Sequence, residues 1–335
     1  MKPLVSIVLP AFNEEANLPE LRRRLNETVA TLPGYDFEFL LIDNRSVDQT
    51  PVLGRQFARE DARWRYLRFS RNFGAEVSLA AGLHYAKGDA VIFMATDLQD
   101  PPEMVPVMIQ EWEAGYDVVY GKLRQRNDSA FLKSLGARVA YWLIYRLSDV
   151  RIPPDATDFR LMARPVVEAL NRCGEQNRYL RGLVHWVGFR QTGFEYDRAE
   201  RKAGKSTANL LFCIKYAFNA VIAFSSQPLR LATYVGLAAT VLSLIGIVAY
   251  TAVYLAVTYG ALKVTPPPPG WTTVVLAILF FSGLQSMFMG LLGEYLANVY
   301  QEVKRRPLWV VGESAGFPEQ RDQGLRMAVR ERSAG

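Results

Sequence analysis

Two long stretches of this chain carry no charge. Between Arg230 and Lys263, and again between Lys263 and Glu294, there is no Asp, Glu, Lys or Arg. A bilayer core takes roughly 20 mostly apolar residues in a helix, and both gaps exceed that. One charge at the centre of a span costs about 2.5–3.5 kcal/mol. The two gaps therefore predict two membrane-spanning helices and argue against a pair of buried helices in a soluble protein. Cysteine is nearly missing as well. Cys173 and Cys213 are the only two, and they form no spacing pattern, so they read as packing thiols in a reducing compartment rather than a disulfide framework. There is no internal repeat, and no low-complexity tract apart from Pro266–Pro269. No secretory signal is expected. The first apolar run, Leu4–Leu9, is short and meets Pro10 and then Glu14 and Glu15, so it reads as a strand.

What is present divides into two unlike parts, which the mean hydropathy of +0.01 averages away. Charged residues recur from Met1 to Arg230 of the 335 residues, enough for one sizeable α/β domain with an appendage. The net charge of +6 and the isoelectric point near 9.2 suit anionic headgroups and phosphate substrates. Nucleic acid would suit the charge too, but two spans argue against it. An untranslocated first domain, two spans and a tail opening on Lys304, Arg305 and Arg306 place both termini inside. The short loop around Pro266–Gly270 then faces out.

In the first half, short apolar runs alternate with helix-length segments. Strands are expected at Leu4–Leu9, Phe37–Asp43, Arg65–Phe69, Ala90–Ala95 and Asp117–Tyr120. Helices are expected at Glu15–Thr31, Asp48–Asp61, Ala75–Ala86 and Pro101–Ala114. Such alternation predicts a mostly parallel sheet covered on both faces, with ligands beyond the carboxyl ends of its strands. A helical pattern through Ser129–Leu147 and a mixed segment from Asp155 to Asp197 follow. Thr207–Phe224 then carries Leu210, Leu211, Ile214, Phe218, Val221 and Ile222 at helical spacing. Two readings of that helix stand: it rests in the membrane interface, or it packs on the globular domain.

The polar residues after the strands carry the chemistry. The first strand runs into Pro10-Ala11-Phe12-Asn13-Glu14-Glu15, and the second ends in Asp43-Asn44-Arg45-Ser46-Val47-Asp48. Taken singly, each is an ordinary strand-to-helix turn with Ser46 or Asp48 as a cap. Ser70-Arg71-Asn72-Phe73-Gly74 comes next, and the fourth strand enters Thr96-Asp97-Leu98-Gln99-Asp100-Pro101-Pro102-Glu103. Further on lie Thr157-Asp158-Phe159-Arg160-Leu161, Arg201-Lys202-Ala203-Gly204-Lys205-Ser206, and Gly293-Glu294-Tyr295 running to Arg306-Pro307. The Gly-Lys-Ser tripeptide is not a P-loop, because Ala199 stands where that motif needs glycine.

The order and spacing of these segments resemble the family-two inverting glycosyltransferases with the GT-A (Rossmann-like) fold. Within them they are similar to the polyprenyl-phosphate branch of bactoprenol glucosyltransferases and dolichol-phosphate mannose synthases. The resemblance spans residues from about 4 to 311. It implies transfer of a hexose, UDP-glucose favoured as donor, to a polyisoprenyl phosphate such as undecaprenyl phosphate, with GDP-mannose as the alternative donor. It implies that Pro10, Ala11, Asn13, Glu14 and Asp43 contact the nucleotide, with Arg71 and Asp97 beside the donor. It implies Mg2+ or Mn2+ on Asp97 and Gln99, since a diphosphate leaving group calls for a hard cation with oxygen ligands. Here the sequence departs from the family: Ala95 stands where a first acid is usual, and Asn44 where a second aspartate is common. Asp100 reads instead as an N-cap, with a proline and a capping-box glutamate after it.

For the acceptor, Arg124, Arg126 and Lys133 suit a lipid phosphate, since a guanidinium fork can hold two of its oxygens. Lys133 reads equally as part of a solvated basic face. Asp158 lies, by the resemblance, beside the acceptor. A phosphate with a second pKa of about 6 is largely ionised at neutral pH, so Asp158 is expected to orient it or to take a residual proton rather than act as a strong base. Arg201, Lys205 and Ser206 are expected to close over the phosphates and exclude water. Asp97, Asp158 and Arg201 form the expected catalytic set. Lys304–Arg306 serve equally as positive-inside anchors.

The expected domains are a catalytic α/β domain over 1–205, an interfacial helix over 206–226, a two-span hairpin over 227–306 and a cytoplasmic tail over 307–335. Multi-pass insertion in the cell's inner membrane follows, with the catalytic domain cytoplasmic. Family members can assemble as tetramers, so a homo-oligomer joins the expected partners. A processive synthase is disfavoured because Arg63-Trp64 precedes the acidic site instead of following it. A non-catalytic scaffold with a decayed transferase domain rests on Ala95 and Asn44 alone. Two spans without oligomerisation do not make a transporter.

Overall fold

The computed structural model describes residues 2–124, 156–176, 178–197 and 270–317, with isolated positions between 234 and 259. The chain divides into two compact units: Met1–Ala140 with Val150–Cys213 and Arg305–Gly335, and Tyr141–Asp149 with Ile214–Lys304.

The first unit is built on an eight-stranded sheet. Its strands are β1 (Leu4–Ala11), β2 (Asp36–Asp43), β3 (Trp64–Phe69), β4 (Ala90–Phe93), β5 (Val118–Leu123), β6 (Ala156–Ala163), β7 (Gln191–Tyr196) and β8 (Val311–Ala315). Their order across the sheet is β7-β5-β6-β4-β1-β2-β3-β8. β1 pairs in parallel with both β2 and β4, and β2 with β3. These strands are apolar at nearly every position because helices cover both faces. Val5, Ile7, Val8 and Leu9 of β1 are fully buried. β6 runs antiparallel between β4 and β5, and β7 adds in parallel to β5.

The helices are α1 (Leu18–Ala30), α2 (Thr50–Glu60), α3 (Ala75–Tyr85), α4 (Val105–Glu113, after a 3-10 turn at Pro102–Met104), α5 (Arg164–Arg172) and α6 (Leu180–Trp186). Leu18, Leu21, Leu25 and Val29 repeat at three- and four-residue steps, so α1 turns one apolar face to the core. Trp64 anchors the far side, stacked on Phe39 with centroids 4.9 Å apart and edge-on to Phe57 at 5.0 Å. The four expected helices are present, each trimmed by one to four residues at its start or end where turns intervene.

Two findings alter the sequence reading. Residues 307–335 do not stand wholly apart as a tail, since Val311–Ala315 pairs antiparallel with β3 as the sheet's eighth strand. Trp309 and Phe317 pack on Tyr85 at either end of that strand, and Arg55 pairs with Glu313 at 3.0 Å. Asp100 is not an N-cap either. Pro101 takes the cap position without a side-chain bond, while Asp100 is buried and bonded to Ala95 and Tyr196. The aspartate's long-range partners outcompete the local capping pattern, and Glu103 pairs with Arg24 instead.

The second unit contains α7 (Trp271–Lys304), a helix of 34 residues. Its exposed side chains include Val274, Ile278, Phe281, Leu292, Leu296 and Val299. Counted over the described residues, no helix is long and apolar enough to cross a membrane. The side chains of Val275, Leu276, Leu279 and Phe280, in the apolar first half of α7, lie outside the described set. So do residues 206–226, expected as an interfacial helix, and nearly all of the first charge-free gap.

Candidate active site

The strand order reverses between β1 and β4, and the loops after β1, β2, β3 and β4 leave the same edge of the sheet. This is where an open α/β sheet leaves a crevice for ligand. Three of those loops hold a non-glycine residue in the left-handed region: Asn13 at φ 58°, Arg45 at φ 69° and Leu98 at φ 63°. Such backbone costs about 1–3 kcal/mol per residue and concentrates at functional sites.

The loops are bonded to each other. The Asn13 amide donates to Ser46 Oγ at 2.9 Å, and the Val47 amide returns a bond to Asn13 Oδ1 at 2.9 Å. The Glu14 amide donates to Thr50 Oγ1, and the Glu15 amide to Asp48 Oδ2. Ser46 and Asp48 thus serve mainly to join loops. Thr96 Oγ1 donates to the carbonyl of Pro10 at 2.9 Å, bringing in the loop after β4. Ala11 is buried, whereas Asn13 is exposed and Phe12, which sequence reasoning passed over, is 47% exposed at the mouth.

Asp43 sits beneath the crevice, fully buried. It accepts from the Ser46 amide at 2.7 Å and from the Tyr66 hydroxyl at 2.8 Å, and Arg68 Nε lies 3.2 Å away. Burial, and then the Asp43 charge, push the Tyr66 hydroxyl pKa far upward. Asn44 donates to Asn72 Oδ1 at 3.0 Å and accepts from the Phe73 amide at 2.8 Å. It therefore clamps the loop after β3, where Arg71 lies over the Phe73 ring at 3.9 Å. The missing second aspartate has become a joint between loops.

In the acidic turn, Asp97 is 8% exposed and its Oδ1 accepts from the Gln99 amide at 3.2 Å. Among the described residues no three His, Cys, Asp or Glu side chains group to hold a metal ion. One carboxylate and one amide oxygen are hard donors that fit Mg2+ or Mn2+ only as part of a shell. The remainder would come from diphosphate oxygens and water.

On the other side of the crevice the register Phe93↔Arg160 brings the start of β6 to the edge where β4 ends. Thr157 donates to the carbonyl of Gly121 at 3.1 Å and lies 3.3 Å from the Tyr196 hydroxyl, which itself donates to Asp100 at 2.9 Å. A Cβ at Gly121 would sit 2.5 Å from the Tyr196 ring, so only glycine leaves room for this chain of bonds. Asp158 accepts a two-pronged bond from Arg181, at 3.1 and 2.7 Å, a partner the sequence did not point to. Arg124 is exposed and faces Asp197 at 3.3 Å and Glu195 at 3.7 Å. The site thus gathers Pro10, Ala11, Asn13, Glu14, Asp43, Arg71, Asp97 and Gln99 on one side, with Asp158 and Arg124 toward β5–β7. Arg126, Lys133, Arg201, Lys205 and Ser206 lie outside the described residues.

A model of glycosyl transferase family 2 matches residues 6–170, the span that supplies all four crevice loops. The SfII prophage-derived bactoprenol glucosyl transferase of Shigella flexneri is 37% identical over 316 residues, covering 92% of this chain and 98% of its own. The chain belongs to glycosyl transferase family 2. Two further relatives, the uncharacterized glycosyltransferases YkcC of Bacillus subtilis (strain 168) and sll0501 of Synechocystis, are 37% and 38% identical. They cover 94% and 93% of this chain and 95% and 96% of their own length. The protein is a glycosyltransferase, and its α/β sheet with a crevice at the carboxyl edge is the GT-A domain expected of family 2.

Proposed function

We propose that this enzyme moves a hexose from a nucleotide diphosphate sugar, UDP-glucose first, onto a polyisoprenyl phosphate such as undecaprenyl phosphate, inverting the anomeric carbon. The observation that carries the reading is near full-length similarity to bactoprenol glucosyl transferases, joined to a crevice whose two sides hold different chemistry. The loops after β1 to β4 receive the nucleotide. Asp158 and Arg124 face the incoming lipid phosphate. An oxygen of that phosphate attacks the anomeric carbon from the side opposite the leaving group. The bond from that carbon to the diphosphate oxygen breaks, and the nucleoside diphosphate leaves with the electron pair. No strong base is required, because the attacking phosphate is already anionic. Mg2+ or Mn2+, when bound at Asp97 and Gln99, would neutralise charge on the departing diphosphate. Arg201, Lys205 and Ser206 close over the phosphates and exclude water in this reading.

The lipid substrate gives the membrane segments a purpose. A helix of 34 residues is about 51 Å long at 1.5 Å per residue, more than the roughly 30 Å hydrocarbon core. Its stretch from Trp271 to Gly293 carries no charge, and its exposed side chains are largely apolar. These features support α7 as the second of two spans in the inner membrane. Lys304, Arg305 and Arg306 hold its end on the cytoplasmic side, where nucleotide sugars are made. A homo-oligomer within the membrane is compatible with that apolar surface.

Membranes containing the full chain, given undecaprenyl phosphate and labelled UDP-glucose, UDP-galactose or GDP-mannose in turn, test the proposal. Labelled lipid with UDP-glucose supports it, and labelling with GDP-mannose alone moves the donor assignment. No labelled lipid with any donor, from protein that binds nucleotide, would favour the non-catalytic scaffold.

A further inference from the structure

Asp158 opens β6 at the crevice edge with its side chain 49% exposed, and its carboxylate is held from two directions. Arg181, in the first turn of α6, places Nε 3.1 Å from Oδ1 and Nη2 2.7 Å from Oδ2. Arg160, from β6 itself, brings Nη2 to 3.4 Å from Oδ1 and donates to the Thr157 carbonyl at 2.8 Å. Arg160 is 2% exposed, so it is a fixed cation behind the carboxylate. Arg181 is the outer cation, with a side chain 30% exposed.

The helix that carries Arg181 is itself anchored. The Leu180 amide donates to Glu76 Oε2 at 3.1 Å, and Leu180, Leu183 and Val184 are buried. Glu76 lies in the first turn of α3, just past the loop that Asn44 clamps. The fork therefore spans 23 positions of sequence from a helix whose own place is set by α3. An ion pair this exposed adds little to fold stability. A two-pronged guanidinium does fix the plane of a carboxylate, which a single point charge does not.

We infer that Arg181 is the positioning residue for Asp158: its fork fixes the carboxylate at the acceptor side and keeps it ionised, so Asp158 orients the lipid phosphate by accepting a hydrogen bond from its residual P–OH without taking the proton. The inference rests on the proposed transfer to a polyisoprenyl phosphate. It adds a residue and a division of labour to that reading, with Asp158 touching the acceptor and Arg181 acting through Asp158.

The test uses the full chain in membranes, with UDP-glucose and undecaprenyl phosphate, and follows kcat, donor KM and the pH profile. Misplacing a reacting group can lower kcat on the order of 100-fold, and that is the drop expected for Arg181→Ala with donor KM unchanged. Loss of the neighbouring cation also raises the acid limb of the kcat profile by about a pH unit. Among the described residues, the groups that continue to face Asp158 and Arg181 include Arg160 from β6, Glu76 from α3, Tyr179 at the cap of α6 and His185 within it. Added methylguanidinium should restore part of kcat in Arg181→Ala. Arg181→Lys should return the acid limb toward wild type but recover kcat only in part, because one ammonium cannot reproduce the fork. A wild-type acid limb in both variants overturns the inference, as does a kcat loss in Arg181→Ala that methylguanidinium leaves untouched. If Arg181→Ala does not accumulate, Arg181→Lys decides: wild-type kcat there overturns it. Failure of the wild-type chain to label lipid with any donor counts against the proposed reaction itself.

Discussion

Removing one oxygen atom from the base of the crevice should loosen the donor site. In Tyr66→Phe, Asp43 keeps the Ser46 amide at 2.7 Å and Arg68 at 3.2 Å but loses the hydroxyl at 2.8 Å. Asp43 is fully buried, so water cannot replace the lost donor. A hydrogen bond to a charged group contributes about 1.5–3 kcal/mol, which corresponds to a fall in melting temperature of about 4–10 °C. Ser46 also receives the Asn13 amide, so part of the loss reaches the loop proposed to meet the nucleotide. Donor affinity should weaken ~3- to 10-fold, the equivalent of roughly 0.7–1.4 kcal/mol. Burial, followed by the Asp43 charge, raises the Tyr66 pKa, so the hydroxyl stays protonated and the penalty is constant from neutral to mildly alkaline pH. Thermal melts and donor titration of the full chain, compared with Asp43→Asn and the double variant, measure it. The pair should couple by about 1–2 kcal/mol. Unchanged melting and unchanged donor affinity in Tyr66→Phe would refute the view that Asp43 acts by holding the loops.

Asp97→Asn should abolish transfer while the protein remains folded, and a chelator should abolish wild-type transfer; full activity in either case removes the metal assignment. The His185 pKa is lowered from 6.5 to about 4, by burial first and then by Arg160 and Arg181. The folded state therefore prefers the neutral ring, so stability is full above pH 6.5 and falls as pH drops toward 4. His185→Gln should flatten that part of the melting curve against pH. Gly316 has φ +77°, and an added Cβ would lie 2.5 Å from the Trp64 carbonyl, so Gly316→Ala should destabilise by about 1–3 kcal/mol, read by denaturation. In a background lacking Cys173 and Cys213, Thr265→Cys should react with an impermeant thiol reagent in intact cells. Arg59→Cys, on the exposed face of α2, should react only after lysis, and the opposite pattern reverses the proposed orientation.

The first four strands and their helices are legible in the sequence because each is a local pattern. Phe39-Leu40-Leu41-Ile42 is an apolar run that only a two-sided core explains. Leu18, Leu21 and Leu25 carry a helical period. The crevice loops were legible for the same reason, since polar residues follow each run directly. What escaped depends on distant partners. β8, Val-Gly-Glu-Ser-Ala, has no alternation to mark it and becomes a strand because the edge of β3 is there to receive it. Asp100 mimics a helix cap beside two prolines, yet its bond to Tyr196 crosses 96 positions. Arg181 meets Asp158 only because Glu76 and buried leucines set α6 in place. Tyr66 read as one aromatic in a strand, and its hydroxyl's task was invisible without the fold.

The eighth strand also constrains how the chain can be threaded. The Ser70 amide donates to the carbonyl of Val310 at 2.9 Å, and Tyr66 to Phe69 pair with Ala315 to Val311. Backbone bonds of this kind require both partners to be in one compartment, since no sheet pairs across a hydrocarbon layer. In the proposed membrane arrangement, the chain between β7 and β8 therefore crosses the bilayer an even number of times. The parity follows from strand pairing alone and needs no count of basic residues. It also sets an order of events during synthesis. β3 has an open edge until the ribosome has released residue 315, so everything between β7 and β8 is made before the sheet is closed.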